Sequence, residues 1–342
     1  MKAIALQQYG SADDLALTEL PEPKVAPSEV LIRVRAAGVN PVDWKLAAGG
    51  LDPLMESGFP LVPGWDVAGV VEAVGPDAHE YRVGDEVYGY LRKDWAKNGT
   101  YAELVSANVR MLAPKPASLS WEQAAGVPLA GLTALQSVRR AGIGSGDTVL
   151  VHAASGGVGS FAVQIAAALG ARVIGTASER NHDYLRSLGA EPVVYGDGLD
   201  DRVRALAPEG VDAVLDLVGG GVAERSLPLV SAPERVVSIT DPDVQQAGGH
   251  WLWVRPDSAD LAELARLADD GKLTVHVDRV FPLAETAEAW RLSQTGRTRG
   301  IVLLELGPPH ALAAALLGAV VVDARALGVP AAGDRDDHVL LG

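Results

Sequence analysis

The chain has 342 residues, 48% hydrophobic content and a formal net charge of −15, from 44 acidic and 29 basic side chains. That length gives a prior of about two domains, and so acidic a balance argues against nucleic acid or an anionic membrane surface as a partner, because both are bound through basic patches. There is no cysteine, which excludes disulfides, thiolate metal sites and a cysteine nucleophile.

Met1-Lys2-Ala3-Ile4-Ala5-Leu6 reads as a first strand and lacks a signal-peptide core. The first hundred residues are β-rich. Alternating runs such as Val30-Leu31-Ile32-Arg33-Val34-Arg35 are separated by breaks at Pro21-Glu22-Pro23, Gly75-Pro76-Asp77 and Gly84-Asp85. From about Trp121 the texture changes to alternating strands and helices over 147–153, 157–170, 171–177, 181–188, 200–207, 211–218, 222–230 and 235–240, with Val193-Val194 closing the third strand. This alternation predicts an α/β fold with a doubly wound parallel sheet. His250-Trp251-Leu252-Trp253-Val254 reads as one more strand and 257–270 as a helix; residues 273–306 return to strand, helix (284–295) and strand. The apolar run from Ala311 to Val322 is too short to span a bilayer, so a cytoplasmic protein is expected.

The most informative segment is 149–180. Val149, Leu150 and Val151 form a short apolar run suited to a parallel strand covered on both faces. Ser155-Gly156-Gly157-Val158-Gly159 follows at once. Phe161, Ile165 and Leu169 then recur at helical spacing, with Gly170 as the stop. A strand, a glycine turn, a helix and a second strand in about 30 residues is how a dinucleotide is held by its pyrophosphate. Gly156 and Gly157 would let backbone N–H groups approach the pyrophosphate, and Gly159 would let the helix pack close to the strand. Ala154 stands where the usual G-x-G-x-x-G pattern has its first glycine.

The end of the second strand bears on which dinucleotide is bound. NAD sites place an acidic residue there against the ribose 2′-OH. Here the strand ends at Ala177-Ser178, followed by Glu179 and Arg180. A small hydroxyl residue and an arginine suit a 2′-phosphate, so NADPH is the expected cofactor. Glu179 counts against it, and Ser178 has a second possible role as a helix cap.

Gly64-Trp65-Asp66-Val67-Ala68-Gly69-Val70-Val71-Glu72-Ala73-Val74-Gly75 resembles the G-H-E-x-x-G-x5-G signature of the medium-chain dehydrogenase/reductase superfamily. Gly38-Val39-Asn40-Pro41-Val42-Asp43-Trp44-Lys45, Tyr81-Arg82-Val83-Gly84-Asp85-Glu86-Val87 and Leu129-Ala130-Gly131-Leu132-Thr133-Ala134 fit the same family in order and spacing over residues 1–306. The group it is most similar to is the zinc-free, NADPH-dependent quinone oxidoreductase and enoyl reductase branch. That resemblance implies a Rossmann nucleotide domain (122–272) set inside a partly open, GroES-like β-barrel substrate domain (1–121 and 273–307). Residues 308–342 do not fit the family, although 311–317 reads as helical.

Zinc members use the signature histidine and cysteines as metal ligands. Here that histidine is Trp65, cysteine is absent, and the seven histidines show no ligand spacing. No metal is expected. What remains is hydride delivery from NADPH to an acceptor that is already electrophilic, a quinone or an α,β-unsaturated carbonyl. Two alternatives stay open: a biosynthetic enoyl reductase acting on one pathway intermediate, and a non-catalytic NADPH-binding sensor or structural protein.

The resemblance places Asn40 beside the nicotinamide, where it could donate to a carbonyl or enolate oxygen; a turn before Pro41 is the other reading. Asp43 and Lys45 follow where a proton could be supplied or relayed, or where two charges are simply solvated or paired. Thr133 matches a residue contacting the nicotinamide ribose or ring, unless its hydroxyl bonds its own helix. Tyr195 falls one position from a family tyrosine near the 2′-phosphate. Leu217-Val218-Gly219 and Ser238-Ile239-Thr240 end the fourth and fifth strands, where ligands of open α/β sheets bind, so backbone contact to the cofactor is expected there; plain core is the other reading for the side chains. Trp44, Trp65 and Tyr88 could wall the acceptor pocket or pack the core. The apolar 250–254 run at a sheet edge predicts a homodimer, against burial under a neighbouring helix.

Overall fold

The short apolar runs of the central third assemble into a six-stranded, all-parallel sheet in the spatial order Ala190–Val194, Arg172–Ala177, Thr148–Val151, Ala213–Asp216, Val236–Ser238, His250–Trp251. A computed structural model describes residues 1–307; residues 308–342, with the helix expected over 311–317, lie outside the described residues. Successive strand residues point to opposite faces, and the two faces enter different cores. Val149, Val151, Val173 and Leu215 pack with helices Pro128–Arg140, Gly157–Ala168 and Ser258–Asp269. Leu150, Ile174 and Val214 pack with Val203 and Ala223 from helices Leu199–Leu206 and Val222–Ser226. Covering on both faces is why these strands are continuously apolar. The expected doubly wound sheet is present.

The β-rich first part forms a seven-stranded sheet centred on Glu29–Val39, which pairs antiparallel with Asp66–Val74, Leu104–Asn108 and Ile301–Glu305. Ile301–Glu305 in turn carries Val277–Pro282 parallel to it, with helix Thr286–Gln294 as the crossover. The last described segment therefore returns to the first sheet. On its way it touches the nucleotide turn: Gly300 N–H donates to Ser155 O at 3.2 Å, and Gly156 and Gly300 form a parallel bridge.

Two expected elements differ. The run 250–254 is a strand only over His250–Trp251; Leu252, Trp253 and Val254 leave the sheet and pack half-buried against the core on the helix side. The helix expected over 222–230 ends at Ser226 and tightens into a 3₁₀ turn over Leu227–Leu229, because Pro228 has no N–H to continue the ladder. Among the described residues no helix is long and apolar enough to cross a membrane.

Candidate active site

The strand Thr148–Val151 passes through His152, Ala153, Ala154 and Ser155 into helix Gly157–Ala168. Ala153 takes φ 50°, a left-handed conformation that costs a residue with a Cβ. The second strand holds it there. Thr176 accepts the Ala153 N–H on its hydroxyl and the Ala154 N–H on its carbonyl, both at 3.0 Å. A Cβ on Gly159 would lie 2.3 Å from the Ala153 carbonyl oxygen and 2.7 Å from Ala154 Cα, so glycine alone lets the helix seat against the turn. Gly156 is the N-cap and offers no side chain to the first-turn N–H groups. Such a bare helix terminus is a ready anion site.

From this turn a groove runs in two directions. One arm, about 1160 Å³, is lined by Ser155, Ser178, Arg180 and Tyr195. Ser178 makes no capping bond to the turn that follows it. Arg180 Nη2 donates to the Arg297 carbonyl at 3.2 Å. Arg225 and Arg297 share this arm with Asp197, Asp200 and Asp201. His152 lies at its inner end, with Nε2 2.8 Å from Ser226 Oγ. Burial lowers its pKa to about 4, so the imidazole is neutral.

The other arm, about 530 Å³, lies where the nucleotide sheet faces the first sheet. Asn40, Lys45, Trp65, Tyr90, Thr133 and Trp253 line it, together with Gly156, Gly157, Val158 and Gly159. Ala153, Gly156 and Val218 belong to both arms, so the groove is continuous. Asn40 is 6% exposed and its Nδ2 donates to Asp66 Oδ2 at 2.8 Å. Asp66 is sealed from solvent, and its other oxygen accepts the Leu129 N–H at 2.8 Å, in the first turn of helix Pro128–Arg140. Burial drives the Asp66 pKa well above the usual carboxylate range; the bond from Asn40 opposes this, and the Asp43 charge adds to it. Trp65 meets Tyr90 edge to face at 6.0 Å.

Asn40, Lys45, Thr133, Trp65, the glycine turn, Leu217, Val218 and Ile239 all line the groove. Thr133 lines the cleft, and its hydroxyl donates to Leu129 O at 2.7 Å within its own helix.

Four expected site residues do not line the groove. Asp43 is sealed inside, where its Oδ2 accepts the Asn40 N–H and the Tyr101 hydroxyl, both at 2.7 Å. It is the third residue of a capping box and not a group that meets substrate. Trp44 faces away from the cleft because Pro41, Val42 and Lys45 share the cleft side of helix Pro41–Ala47. Its Nε1 donates to Ser293 Oγ at 3.3 Å. Tyr88 is fully buried and its hydroxyl donates to Leu261 O at 2.5 Å. Tyr90, two residues and about 7 Å further along the strand, takes the expected place on the cleft wall. Ser238 turns inward to donate to Asp216 Oδ2 at 2.8 Å and accept the Asp241 N–H at 3.0 Å, while Thr240 reaches the cleft.

Asp66, Tyr90 and Trp253 are not among the site residues expected from the sequence. For Asp66 a signal was present: an acidic residue inside the signature, with no metal ligands around it to explain it. Among the described residues no group of three or more His, Asp or Glu side chains gathers so as to hold a metal ion.

Comparison with known proteins agrees with this architecture. The alcohol dehydrogenase GroES-like domain family matches residues 26–117, and the zinc-binding dehydrogenase family matches residues 188–304. The chloroplast envelope quinone oxidoreductase homolog of Arabidopsis thaliana is 30% identical over 331 residues, spanning 89% of this chain and 98% of that protein. The NADPH-dependent alkenal/one oxidoreductase of the same plant is 32% identical over 313 residues, spanning 89% and 79%. The solved structure of the quinone oxidoreductase from Coxiella burnetii superposes with a TM-score of 0.80 at 34% identity, covering 90% of this chain and 99% of that one. The chain belongs to the medium-chain dehydrogenase/reductase superfamily, among its quinone oxidoreductases and related reductases, with a Rossmann nucleotide fold joined to a GroES-like fold.

Proposed function

We propose that this protein is an oxidoreductase that transfers hydride from NADPH to a quinone or an α,β-unsaturated carbonyl without a metal ion. The observation that carries the reading is the continuous groove. It joins a bare glycine-rich helix terminus to a cleft walled by Trp65, Tyr90 and Trp253 with the Asn40 amide set into it. A dinucleotide fits the residues present. The first-turn N–H groups after Gly156 would hold the pyrophosphate, and Ser178, Arg180 and Tyr195 would meet the 2′-phosphate. Thr133, Leu217, Val218 and Ile239 would flank the nicotinamide.

Bound there, NADPH supplies the hydride. The protein aligns the acceptor between aromatic walls and excludes water from the cleft. Asn40 Nδ2 has two hydrogens, and one is held by Asp66. No other hydrogen bond from Asn40 Nδ2 forms among the described residues, so the second would donate to the oxygen on which charge grows. Metal independence is supported by Trp65 in the place of the signature histidine and by the absence of cysteine from the chain. Lys45, an exposed side chain in the last turn of the helix, would act on charge at the cleft mouth.

The same reading divides the chain at 121/122 and 272/273, and places a homodimer contact at residues 250–254, of which His250–Trp251 is the strand. That strand is at the edge of the parallel sheet, and its outer side has no partner among the described residues. An acidic chain without cysteine suits the cytoplasm.

The test is NADPH oxidation, followed at the nicotinamide absorbance band, with a panel of quinones and enones. Turnover that survives added chelator is expected. Tight NADPH binding with no turnover across the panel would instead favour the sensor reading.

A further inference from the structure

The short chain between helix Thr286–Gln294 and strand Ile301–Glu305 crosses the groove where its two arms meet. Gly296 and Thr298 line both arms, Arg297 lines the cofactor arm, and Ser293 and Ile301 on either side line the acceptor cleft. The C-terminal end of this strap is tied firmly. Gly300 N–H donates to Ser155 O, and Gly300 sits at φ 74°, where a Cβ would lie 2.2 Å from the His276 carbonyl oxygen. Beside it the Arg299 guanidinium lies over the Tyr184 ring, 5.4 Å from its centroid, and Nε donates to His276 Nε2 at 3.2 Å. The other end is held more loosely. Gly296 takes φ 63° with open space where a Cβ would be. Among the described residues one hydrogen bond joins residues 295–298 to the nucleotide fold, from Arg180 Nη2 to Arg297 O. Arg180 is exposed and is the residue proposed above to meet the 2′-phosphate. By itself such an arginine is a weak tether, because holding the long side chain in one rotamer costs most of what the bond returns. Its guanidinium carries five N–H donors in a rigid planar fork, so it can grip a phosphate and still donate to a carbonyl. Once a phosphate has fixed the fork, the bond to Arg297 O forms without a further ordering cost.

We propose that Arg180 is a positioning residue for the acceptor cleft: it couples the cofactor's 2′-phosphate to the strap at Gly296–Thr298, and so to the cleft wall that the strap forms. This rests on the hydride-transfer reading and on the 2′-phosphate assignment above. A coupling free energy belongs to both sites, so it runs in both directions. The 2′-phosphate orders the wall for the acceptor, and a bound acceptor tightens NADPH more than NADH. Selectivity between the cofactors then has two layers. The charge-assisted bond from Arg180 favours NADPH in binding. The strap adds a preference in how the acceptor is used, which persists when either cofactor saturates the protein. NADH presents a 2′-hydroxyl in place of the phosphate and leaves the fork, and with it the strap, loosely held. The nicotinamide is the same in both cofactors, so this second layer does not lie in the hydride itself.

The experiment measures kcat and KM for 4-phenyl-3-buten-2-one in wild type and Arg180→Ala, with NADPH and with NADH, each at saturation. A second readout, independent of turnover, is amide hydrogen exchange in the peptide spanning 295–302, with 2′,5′-ADP or 5′-AMP at saturation. In wild type, kcat/KM for the acceptor should be about fivefold higher with NADPH than with NADH, at the lower end of couplings between sites, and the difference should lie in KM. In Arg180→Ala the two values should be about equal. Exchange over 295–302 should slow with 2′,5′-ADP and not with 5′-AMP, and in Arg180→Ala it should slow with neither. An arginine that only supported the fold would change kcat/KM alike with both cofactors. Equal kcat/KM with the two cofactors in wild type, or a ratio that survives Arg180→Ala, would overturn the coupling and leave the hydride-transfer reading standing. Equal slowing of exchange by 2′,5′-ADP and 5′-AMP would overturn it too. A wild-type protein that turns over neither enones nor quinones with either cofactor would remove the hydride-transfer reading, and this inference with it.

Discussion

Asn40 Nδ2 donates to Asp66 Oδ2 at 2.8 Å, and the other oxygen of that carboxylate accepts the Leu129 N–H at the start of a nucleotide-domain helix. One buried carboxylate thus aims a cleft amide and ties the first sheet to the second fold unit. Asn40→Ala should lower kcat about 10²-fold, the scale of losing one oriented donor to developing charge. Asp66→Ala should lower it nearly as far, and the double variant little further, because the two act as one unit. Steady-state kinetics on the four proteins check this; additive losses would separate the residues. Asp66→Ala should also lose about 1–3 kcal/mol in denaturant unfolding, from the stranded Leu129 N–H.

Gly159 and Gly157 occupy the same turn, yet their tolerance should differ. A Cβ on Gly159 meets backbone, 2.3 Å from Ala153 O. A Cβ on Gly157 meets the tip of a side chain, Ile301 Cδ1, at 2.9 Å. Gly159→Ala should cost several °C in Tm and at least about 10-fold in NADPH affinity, by displacing the helix terminus that holds the pyrophosphate. Gly157→Ala should keep its fold, because Ile301 can change rotamer. Thermal melts and fluorescence titrations would show equal losses if side-chain space and not backbone seating governed the turn.

Arg180 faces the groove beside Ser178. Arg180→Ala should weaken NADPH by roughly 10-fold or more, as expected for a charge-assisted bond. NADH binding should change little. Paired titrations with the two cofactors decide it, and equal loss for both would take the 2′-phosphate away from this residue.

Asp43 gives the fold a pH dependence of definite sign. Burial raises its pKa to about 7 against the bonds from Asn40 and Tyr101. Between the ordinary carboxylate value and about 7 the native state therefore holds a proton that the unfolded chain releases. This contribution to stability is complete at low pH and fades as pH rises through about 7. Asp43→Asn keeps an acceptor for the Asn40 N–H and carries no charge. Its stability relative to wild type should improve from pH 5 to pH 8, at about 1.4 kcal/mol per pKa unit of displacement. Denaturant unfolding across that range measures it; a difference that is flat with pH would mean that Asp43 is ionised throughout.

Much of this was legible along the chain. The six parallel strands, the glycine turn and the strand–helix–strand order of 273–306 follow from apolar periodicity and from glycine and proline placement, which are local signals; that 273–306 rejoins the first sheet came only from the family resemblance. The errors were equally local. Trp44 was expected on the cleft one position before Lys45, and Tyr88 one strand repeat before Tyr90, because neighbouring aromatics of like type carry no sign of which faces outward. Asp43 and Ser238 looked chemical because polar residues near a site usually are, yet both serve backbone and side-chain neighbours.

The sequence by itself determined the α/β order of the nucleotide fold, the bare helix terminus after Gly156, the family, and the lack of a cysteine ligand set. Each is encoded in short windows whose periodicity or composition has one physical reading. Only the tertiary structure decided what faces the groove and what holds it. The Asn40–Asp66 bond spans 26 residues and the Asp66–Leu129 bond 63. Such pairings exist only once two sheets are brought together, because burial makes a bond of a juxtaposition that no local pattern records.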